Sequence, residues 1–193
     1  NAPYEVSGST FISGAGYNTT TYPWLNDSNF YTVTSGYQKF TIPVTGTYRI
    51  ECRGGKGSDS SDAMSPSFAN GAKMRADFDL TEGDKFYFVV GSQGGSEGAG
   101  GGASFVCTVQ GDNPTDLGYL SSTTISRPLI IAGGAGADWG GNNVYSSALD
   151  SPRGNRSANY NSFAEFGNGG STNESSYGGG GGFYTAGSGS STG

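Results

Sequence analysis

Histidine is absent from this 193-residue chain, and cysteine, charged residues and long apolar runs are all scarce. Without histidine, the Ser-His and Cys-His arrangements of nucleophilic catalysis are excluded, and so are the usual zinc ligand sets. A glycosidase with paired carboxylates is the one enzymatic hypothesis left, but nothing distinguishes any pair among the 16 acidic residues. The sequence therefore predicts a protein that is not an enzyme and holds no cofactor or metal.

Charge is low in amount and acidic in sign. Charged residues make up 13% of the chain, the net charge is −6, and the ten basic residues are scattered along the sequence. Nucleic-acid binding needs clustered Lys and Arg, so nucleic acid is not a predicted partner. No run of about 20 apolar residues occurs, so membrane insertion is not predicted either.

The two cysteines, Cys52 and Cys107, both lie in predicted strands with inward-facing parity. One inter-strand disulfide in a secreted protein is the favoured interpretation, and two small buried hydrophobic residues are the alternative. Their spacing does not match a CxxC metal pair.

Glycine and aromatic residues are abundant: there are 36 glycines, and aromatics make up 13% of the chain. Disorder normally combines low hydrophobicity with high net charge, so the scarcity of charge favours a folded domain. Three strand-like blocks each run directly into glycine, over 40–57, 85–95 and 128–136. This pattern predicts a sheet core with close-packed glycine backbone beside it.

Period-two alternation of apolar residues locates the strands. It predicts a half-buried hairpin with a turn at 45–46, whose inward residues are Phe40, Ile42 and Val44 in one strand and Tyr48, Ile50 and Cys52 in the other. Further strands are predicted over 71–80, 86–90, 103–109 and 129–131, with a turn over 81–84. Residues 1–36 contain short strand-like pieces, among them 29–33, and are predicted to be an extra strand or an assembly arm.

The glycine runs at 98–102, 133–136 and 178–182 do not follow the every-third-residue rule of collagen. They are either flexible linkers or extended polyproline-II-like segments that pack side by side because no Cβ separates them. The packed interpretation is favoured for the first two runs, and both interpretations stay open for the third.

Two motifs suggest chemistry that their surroundings do not favour. Residues 129–136 look like a strand entering a dinucleotide loop, but no helix pattern follows to hold a pyrophosphate. Asp77, Asp79, Glu82 and Asp84 form an acidic cluster. Its spacing does not match an EF-hand, and the two aspartates flank an inward Phe78, so they are predicted to lie on the solvated face of a strand.

The remaining candidate sites are for glycosylation and recognition. Asn-X-Ser/Thr sequons occur at Asn18, Asn26, Asn155 and Asn173, although a chain this rich in Asn, Ser and Thr would contain some by chance. Exposed aromatics in loops give stiff contact area that suits recognition of proteins or sugars. The candidate recognition aromatics are Trp139, Tyr145 and Tyr160; the alternative role for each is to anchor a glycine-rich loop to the core.

A succession of motifs from residue 37 to the C-terminus carries a family likeness. The motifs are Phe40-x-Ile-Pro-x-Thr-Gly-x-Tyr48, Gly54-Gly-Lys-Gly57, Phe78-x-Leu-x-x-Gly-Asp84, Val89-Val-Gly-x-x-Gly94, Gly100-Gly-Gly-Ala-Ser-Phe-Val106, Pro128-Leu-Ile-Ile-Ala-Gly-Gly-Ala-Gly136 and Tyr177-Gly-Gly-Gly-Gly-Gly-Phe-Tyr184. Their order resembles the glycine-rich domain of the anaplastic lymphoma kinase and leukocyte receptor tyrosine kinase ectodomains, and of related microbial and phage surface proteins.

The resemblance implies an all-β fold, a TNF-like or jelly-roll β-sandwich over 37–193. An attached bundle of polyglycine-II-type segments would lie mainly in 91–102 and 133–193. It also implies a binding or assembly module without catalysis. The kinase, the membrane segment and the cysteine pattern of the receptors are missing here, so their cytokine-binding role is not carried over.

These observations predict a non-catalytic extracellular structural module, secreted or on a cell or virion surface, that assembles with itself into a filament or adhesive assembly. Its partner would then be another copy, or else a surface protein or glycan. The alternative is a receptor-binding adhesin, such as a phage tail fibre tip that recognises a host glycan or protein.

Overall fold

The protein is all-β in the residues that the structure describes. The computed structural model describes residues 27–34, 37–58, 70–94, 99–109, 126–136 and 182–183. Within these ranges the regular secondary structure consists of seven strands: β1 (Tyr31–Thr34), β2 (Tyr37–Thr41), β3 (Gly46–Arg53), β4 (Lys73–Leu80), β5 (Lys85–Val89), β6 (Ser104–Val109) and β7 (Ser126–Ala132). The alternating segments predicted over 71–80, 86–90, 103–109 and 129–131 are confirmed as β4, β5, β6 and β7.

The strands form two antiparallel sheets. One has five strands in the order β1-β2-β5-β6-β7, and the other consists of β3 and β4. Every pairing is antiparallel, and β6 and β7 shift register at a bulge between Val106 and Cys107. The two sheets lie face to face, because one hydrophobic cluster draws residues from both of them.

The predicted hairpin between 37–41 and 46–53 is wrong. β2 pairs with β1 and β5, whereas β3 pairs with β4 in the other sheet. Thr41 lies opposite Lys85, and Gly46 lies opposite Leu80, so the register passes unchanged from one sheet to the next. β2–β3 and β4–β5 are thus the two sides of one long antiparallel ribbon, which bends and contributes to both layers.

The bend of this ribbon is held by bonds between its two sides. Ile42 N donates to the Asp84 carbonyl (2.8 Å), and Gly83 N donates to the Ile42 carbonyl (2.9 Å). Gly83 has a φ of 90°, a conformation that residues with a Cβ rarely adopt. Val44, predicted to face the core, is 64% exposed at this bend. The predicted turn over 81–84 is confirmed, since Asp84 N donates to the Thr81 carbonyl (3.0 Å).

The inner core lies between the two sheets. Its buried residues are Tyr31, Phe40, Ile42, Cys52, Ala72, Leu80, Phe86, Val106, Ile130 and Ala132. They alternate with outward residues along each strand, as a pleated strand requires. Burial of this apolar surface is the main favourable contribution to folding of the described region.

A second cluster covers the other face of the five-stranded sheet. It consists of Tyr87, Ala103, Phe105, Cys107 and Phe183. The central strand β5 and its neighbour β6 therefore pack against both clusters: Phe86 and Val106 belong to the inner core, and Tyr87, Phe105 and Cys107 belong to the second cluster. This explains why β5 is a continuous apolar run rather than an alternating one.

The first strand places part of the predicted arm inside the fold. β1 pairs with β2, with Tyr31 opposite Phe40, and lies at one end of the strand order. Tyr31 is 8% exposed and belongs to the inner core. The strand predicted over 29–33 is confirmed as this edge strand, while residues 1–26 lie outside the described residues.

Candidate functional site: a glycine bundle and a charged sheet face

Glycine-rich segments converge at the end of the sheets opposite the bend. They are residues 54–58, 71–72, 91–94, 99–102 and 133–136, and together they are called the glycine bundle below. Each segment lies within one residue of the end of a strand: β3, β4, β5, β6 and β7 respectively. Because these strands run antiparallel, their adjoining ends bring the five segments to the same place.

Segment 54–58 bonds to three neighbours through three successive residues. The bonds run from Gly54 N to the Ala72 carbonyl (2.9 Å), from Gly55 N to the Gly102 carbonyl (2.8 Å), and from Gly94 N to the Lys56 carbonyl (2.9 Å). A residue of a β-strand bonds only to the two strands on either side in the plane of the sheet. In segment 54–58, by contrast, three successive residues bond to three different segments, so its backbone is surrounded by the backbones of its neighbours.

The contact between segments 54–58 and 99–102 repeats every third residue. Gly55 N bonds to Gly102, and three residues later Ser58 N bonds to the Ala99 carbonyl (2.9 Å). Ala99 N returns a bond to the Ser58 hydroxyl (2.9 Å), and Ser58 is 5% exposed. At the last described residues of this contact, a buried serine side chain thus adds a hydrogen bond to the backbone bonds.

Segment 133–136 closes the bundle on another side. Ala135 N donates to the Gly55 carbonyl (3.1 Å), and Gly101 N donates to the Ala135 carbonyl (2.8 Å). Ala72 N donates to the Gly133 carbonyl (2.9 Å). These amides are satisfied by other backbone groups, as buried backbone groups generally are.

The glycines of the bundle are required by close approach and not by unusual torsion angles. A Cβ would overlap a neighbouring carbonyl at Gly54, Gly55, Gly71, Gly91, Gly94, Gly101 and Gly134. None of these seven has a positive φ. Gly133 is different, because a Cβ there would meet nothing within 4 Å. Most positions thus exclude any side chain, including that of alanine.

The cysteines lie on opposite faces of the five-stranded sheet. Cys52 belongs to the inner core and Cys107 to the second cluster, and both are buried free thiols. The favoured inter-strand disulfide is not made in this structure, because β6 places Val106, not Cys107, on the face toward β3. Burial raises the pKa of the Cys52 thiol to about 11 and that of the Cys107 thiol to about 12.

Most other predicted site residues lie outside the described residues. This holds for the candidate recognition aromatics Trp139, Tyr145 and Tyr160, and for the sequons at Asn18, Asn26, Asn155 and Asn173. The strand-to-glycine motif at 129–136 is described: β7 leads into segment 133–136, which bonds to other bundle segments instead of opening a helix.

The acidic cluster lies on the exposed side of the ribbon. Asp77 accepts two bonds from Arg49, at 2.7 and 2.8 Å, and Asp79 accepts a bond from the Thr47 hydroxyl at 2.7 Å. Asp84 Oδ2 accepts from Thr81 N (2.9 Å) within the turn. Three of the four carboxylates of the cluster thus accept hydrogen bonds within the sheet and its turn. Among the described residues, no group of three or more His, Cys, Asp or Glu could hold a metal ion.

These aspartates belong to a larger face that the sequence did not reveal. The outward residues of the two-stranded sheet, called the charge ladder below, form the cross-strand pairs Thr47–Asp79, Arg49–Asp77, Glu51–Arg75 and Arg53–Lys73. All eight are exposed. Basic residues that are distant in the sequence meet here through the register of β3 and β4, which a scan for local clusters of Lys and Arg cannot show.

Ion pairs link the residues along the charge ladder. Glu51 accepts from Arg53 Nη2 (3.0 Å) and lies 3.2 Å from Lys73 Nζ. Bonding from Arg53, with a further contribution from Lys73, holds the pKa of Glu51 below its ordinary value. Bonding from Arg49 likewise holds the pKa of Asp77 below its ordinary value.

Comparison with known proteins gives no family assignment: no protein-family model matches the chain, and no curated protein is significantly similar to it in sequence. Within the described part of the chain, no helix is long and apolar enough to cross a membrane. The function proposed next therefore rests on the bundle and on the composition of the chain.

Proposed function

We propose that this chain is a non-catalytic extracellular structural module that assembles with copies of itself into a filament or adhesive assembly. The observation that carries the proposal is the glycine bundle, where three successive residues bond to three different segments. Because side chains are excluded at these positions, the backbones pack directly against one another and form a rigid scaffold. The same positions cannot carry the side chains that catalysis would need.

The bundle is best described as polyglycine-II-type packing. A left-handed extended helix has three residues per turn, so its amides point in three directions and contacts with one neighbour recur every third residue. The bonds of Gly54, Gly55 and Lys56, and the recurrence from Gly55 to Ser58, have both properties. The two sheets with their shared bent ribbon are likewise compatible with a TNF-like or jelly-roll sandwich. Both features support the proposed relationship to the glycine-rich domain family.

Negative-stain electron microscopy of the native protein, with intact mass on the same sample, tests the proposed function. Filaments of regular repeat are the expected result. A mass above the 19.7 kDa of the bare chain would add that at least one of the sequons is glycosylated. Discrete monomers or trimers of bare mass would contradict self-assembly and favour the adhesin alternative. Glycan-array and whole-cell binding would then be the next measurements.

A further inference from the structure

The charge ladder separates its charges along the strands. Arg53, Lys73 and Arg75 lie at the end next to the glycine bundle, and Glu51 is the one anion of the ladder at that end. Asp77 and Asp79 lie toward the bend, where Glu82 follows in the turn. Although the whole chain is acidic, with a net charge of −6, this face has a basic end and an acidic end.

The ion pairs within the ladder leave both ends charged. Glu51 is shared between Arg53 and Lys73, so one anion faces two bound cations with Arg75 beside them. At the other end Arg49 donates to both carboxylate oxygens of Asp77, so these two charges neutralise each other. Asp79 contacts the neutral hydroxyl of Thr47. Positive charge therefore remains at one end and negative charge at the other.

The charged groups are accessible to a partner. The exposed fraction of the side chain is 65% for Arg49, 70% for Arg53 and 54% for Lys73. From Thr47 to Arg53 the ladder extends roughly 20 Å at the usual rise per strand residue. Two strands of this length form a narrow, twisted strip, and a second copy carries an identical strip with the same twist.

We propose that two copies of the chain pair through their charge ladders, face to face and antiparallel about a two-fold axis. In that orientation the basic end of each copy meets the acidic end of the other, and the same contact forms twice, as in an isologous interface. A parallel arrangement would place like charges together. This inference rests on the proposed self-assembly and assigns one contact within it.

The size and charge of the strip predict a weak contact. Stable complexes bury about 800 Å² on each partner, and a strip two strands wide offers less. Electrostatic complementarity fixes orientation and register more than it adds affinity. Such a contact would contribute through many repeats in an assembly, where linked weak contacts reinforce one another.

Charge reversal with recombination tests the pairing. One variant, Arg53→Glu with Lys73→Glu, makes both ends of the ladder acidic, and the other, Asp79→Lys with Glu82→Lys, makes both ends basic. Sedimentation velocity of filament-free protein, over a concentration series at about 0.1 M salt, should show a dimer fraction that grows with concentration for the wild type, monomers of each variant alone, and dimers again in their mixture. At about 1 M salt the wild-type dimers should dissociate, because the Debye length falls to about 3 Å.

Controls separate the pairing from folding and from the proposed function. Arg127→Glu reverses a single charge at an exposed residue of β7, outside the ladder, and should dimerise like the wild type. Circular dichroism confirms that each variant is folded. A mixture that stays monomeric, or single variants that dimerise normally, would overturn the ladder contact. If filaments nevertheless formed, the proposed self-assembly would stand, but through another surface. A wild type that is monomeric at every concentration would overturn both the ladder contact and the proposed self-assembly.

A polyanion is the other occupant that the basic end would attract. Dextran sulfate binding, measured on the same three proteins, distinguishes it: binding lost only in the Arg53→Glu, Lys73→Glu variant, with no dimerisation of the wild type, would replace the proposed pairing by polyanion binding.

Discussion

Gly134 has no space for a side chain, whereas the adjacent Gly133 does, so the two positions form a matched pair for substitution. A Cβ at Gly134 would overlap the Gly101 carbonyl, whereas a Cβ at Gly133 would meet nothing within 4 Å. Gly134→Ala should lower the free energy of unfolding by about 1–3 kcal/mol, the usual cost of overpacking. Gly133→Ala should be neutral or slightly stabilising, because alanine restricts the unfolded chain. Urea denaturation measures both; equal effects would contradict the packed bundle.

The cysteines provide a second test at single positions. Both thiols are free and buried in the structure, so folded protein should react slowly with iodoacetamide at pH 8. In denaturant without any reductant, both should be alkylated, and intact mass should show two added groups. A denatured chain that takes up no label would contradict the free thiols and restore the disulfide that the sequence favoured.

The same thiols predict a loss of stability in alkali. Burial raises the pKa of Cys52 to about 11 and of Cys107 to about 12, from an ordinary value of 9.0. Below pH 9 both states keep their protons and no stability is lost. Between about pH 9 and 12 the unfolded chain ionises first, so the free energy of unfolding should fall as pH rises. Unfolding measured across this range, with Cys52→Ala and Cys107→Ala as references, should show a shallower fall in each variant.

At the scale of elements, Phe183 fastens the end of the last glycine run to the five-stranded sheet. It is 2% exposed, and its ring meets that of Phe105 edge to face with 4.8 Å between centroids. Phe183→Ala should cost about 3–5 kcal/mol, as for other large-to-small changes in cores. Val44→Ala is the control, because Val44 is 64% exposed and should change stability by less than about 0.5 kcal/mol. Thermal and urea unfolding compare the two; equal costs would show that Phe183 is not an anchor.

The same scale shows what the sequence could predict. Alternation located the strands correctly, because each pleat has an inward and an outward side whatever it pairs with. It could not show that the chain changes sheets between Thr41 and Gly46, since the alternation on both sides of this point is the same for a hairpin and for a bent ribbon. Pairing depends on contacts between distant residues, such as Phe40 with Phe86, and periodicity does not report these.

The candidate site was predictable only in part, for a related reason. The glycines after each strand indicated a close-packed backbone, but not which carbonyl occupies the place of each missing Cβ. The charge ladder was missed because Arg53 and Lys73 become neighbours only through the register of β3 and β4. For the aromatics and sequons, the functional hypotheses remain predictions.

At the scale of the whole molecule, the fold sharpens the test of the N-terminal arm. Deleting all of residues 1–36 would remove β1, whose Tyr31 belongs to the inner core, and would confuse loss of folding with loss of assembly. Deleting residues 1–26 leaves every described strand in place. If the arm adds a strand to the sheet edge of a neighbouring copy, this truncation should keep the melting temperature within a few degrees of the wild type and abolish filaments. Electron microscopy and calorimetry on the same preparation measure both. Filaments that survive the truncation would exclude the arm and leave the charge ladder as the contact to examine.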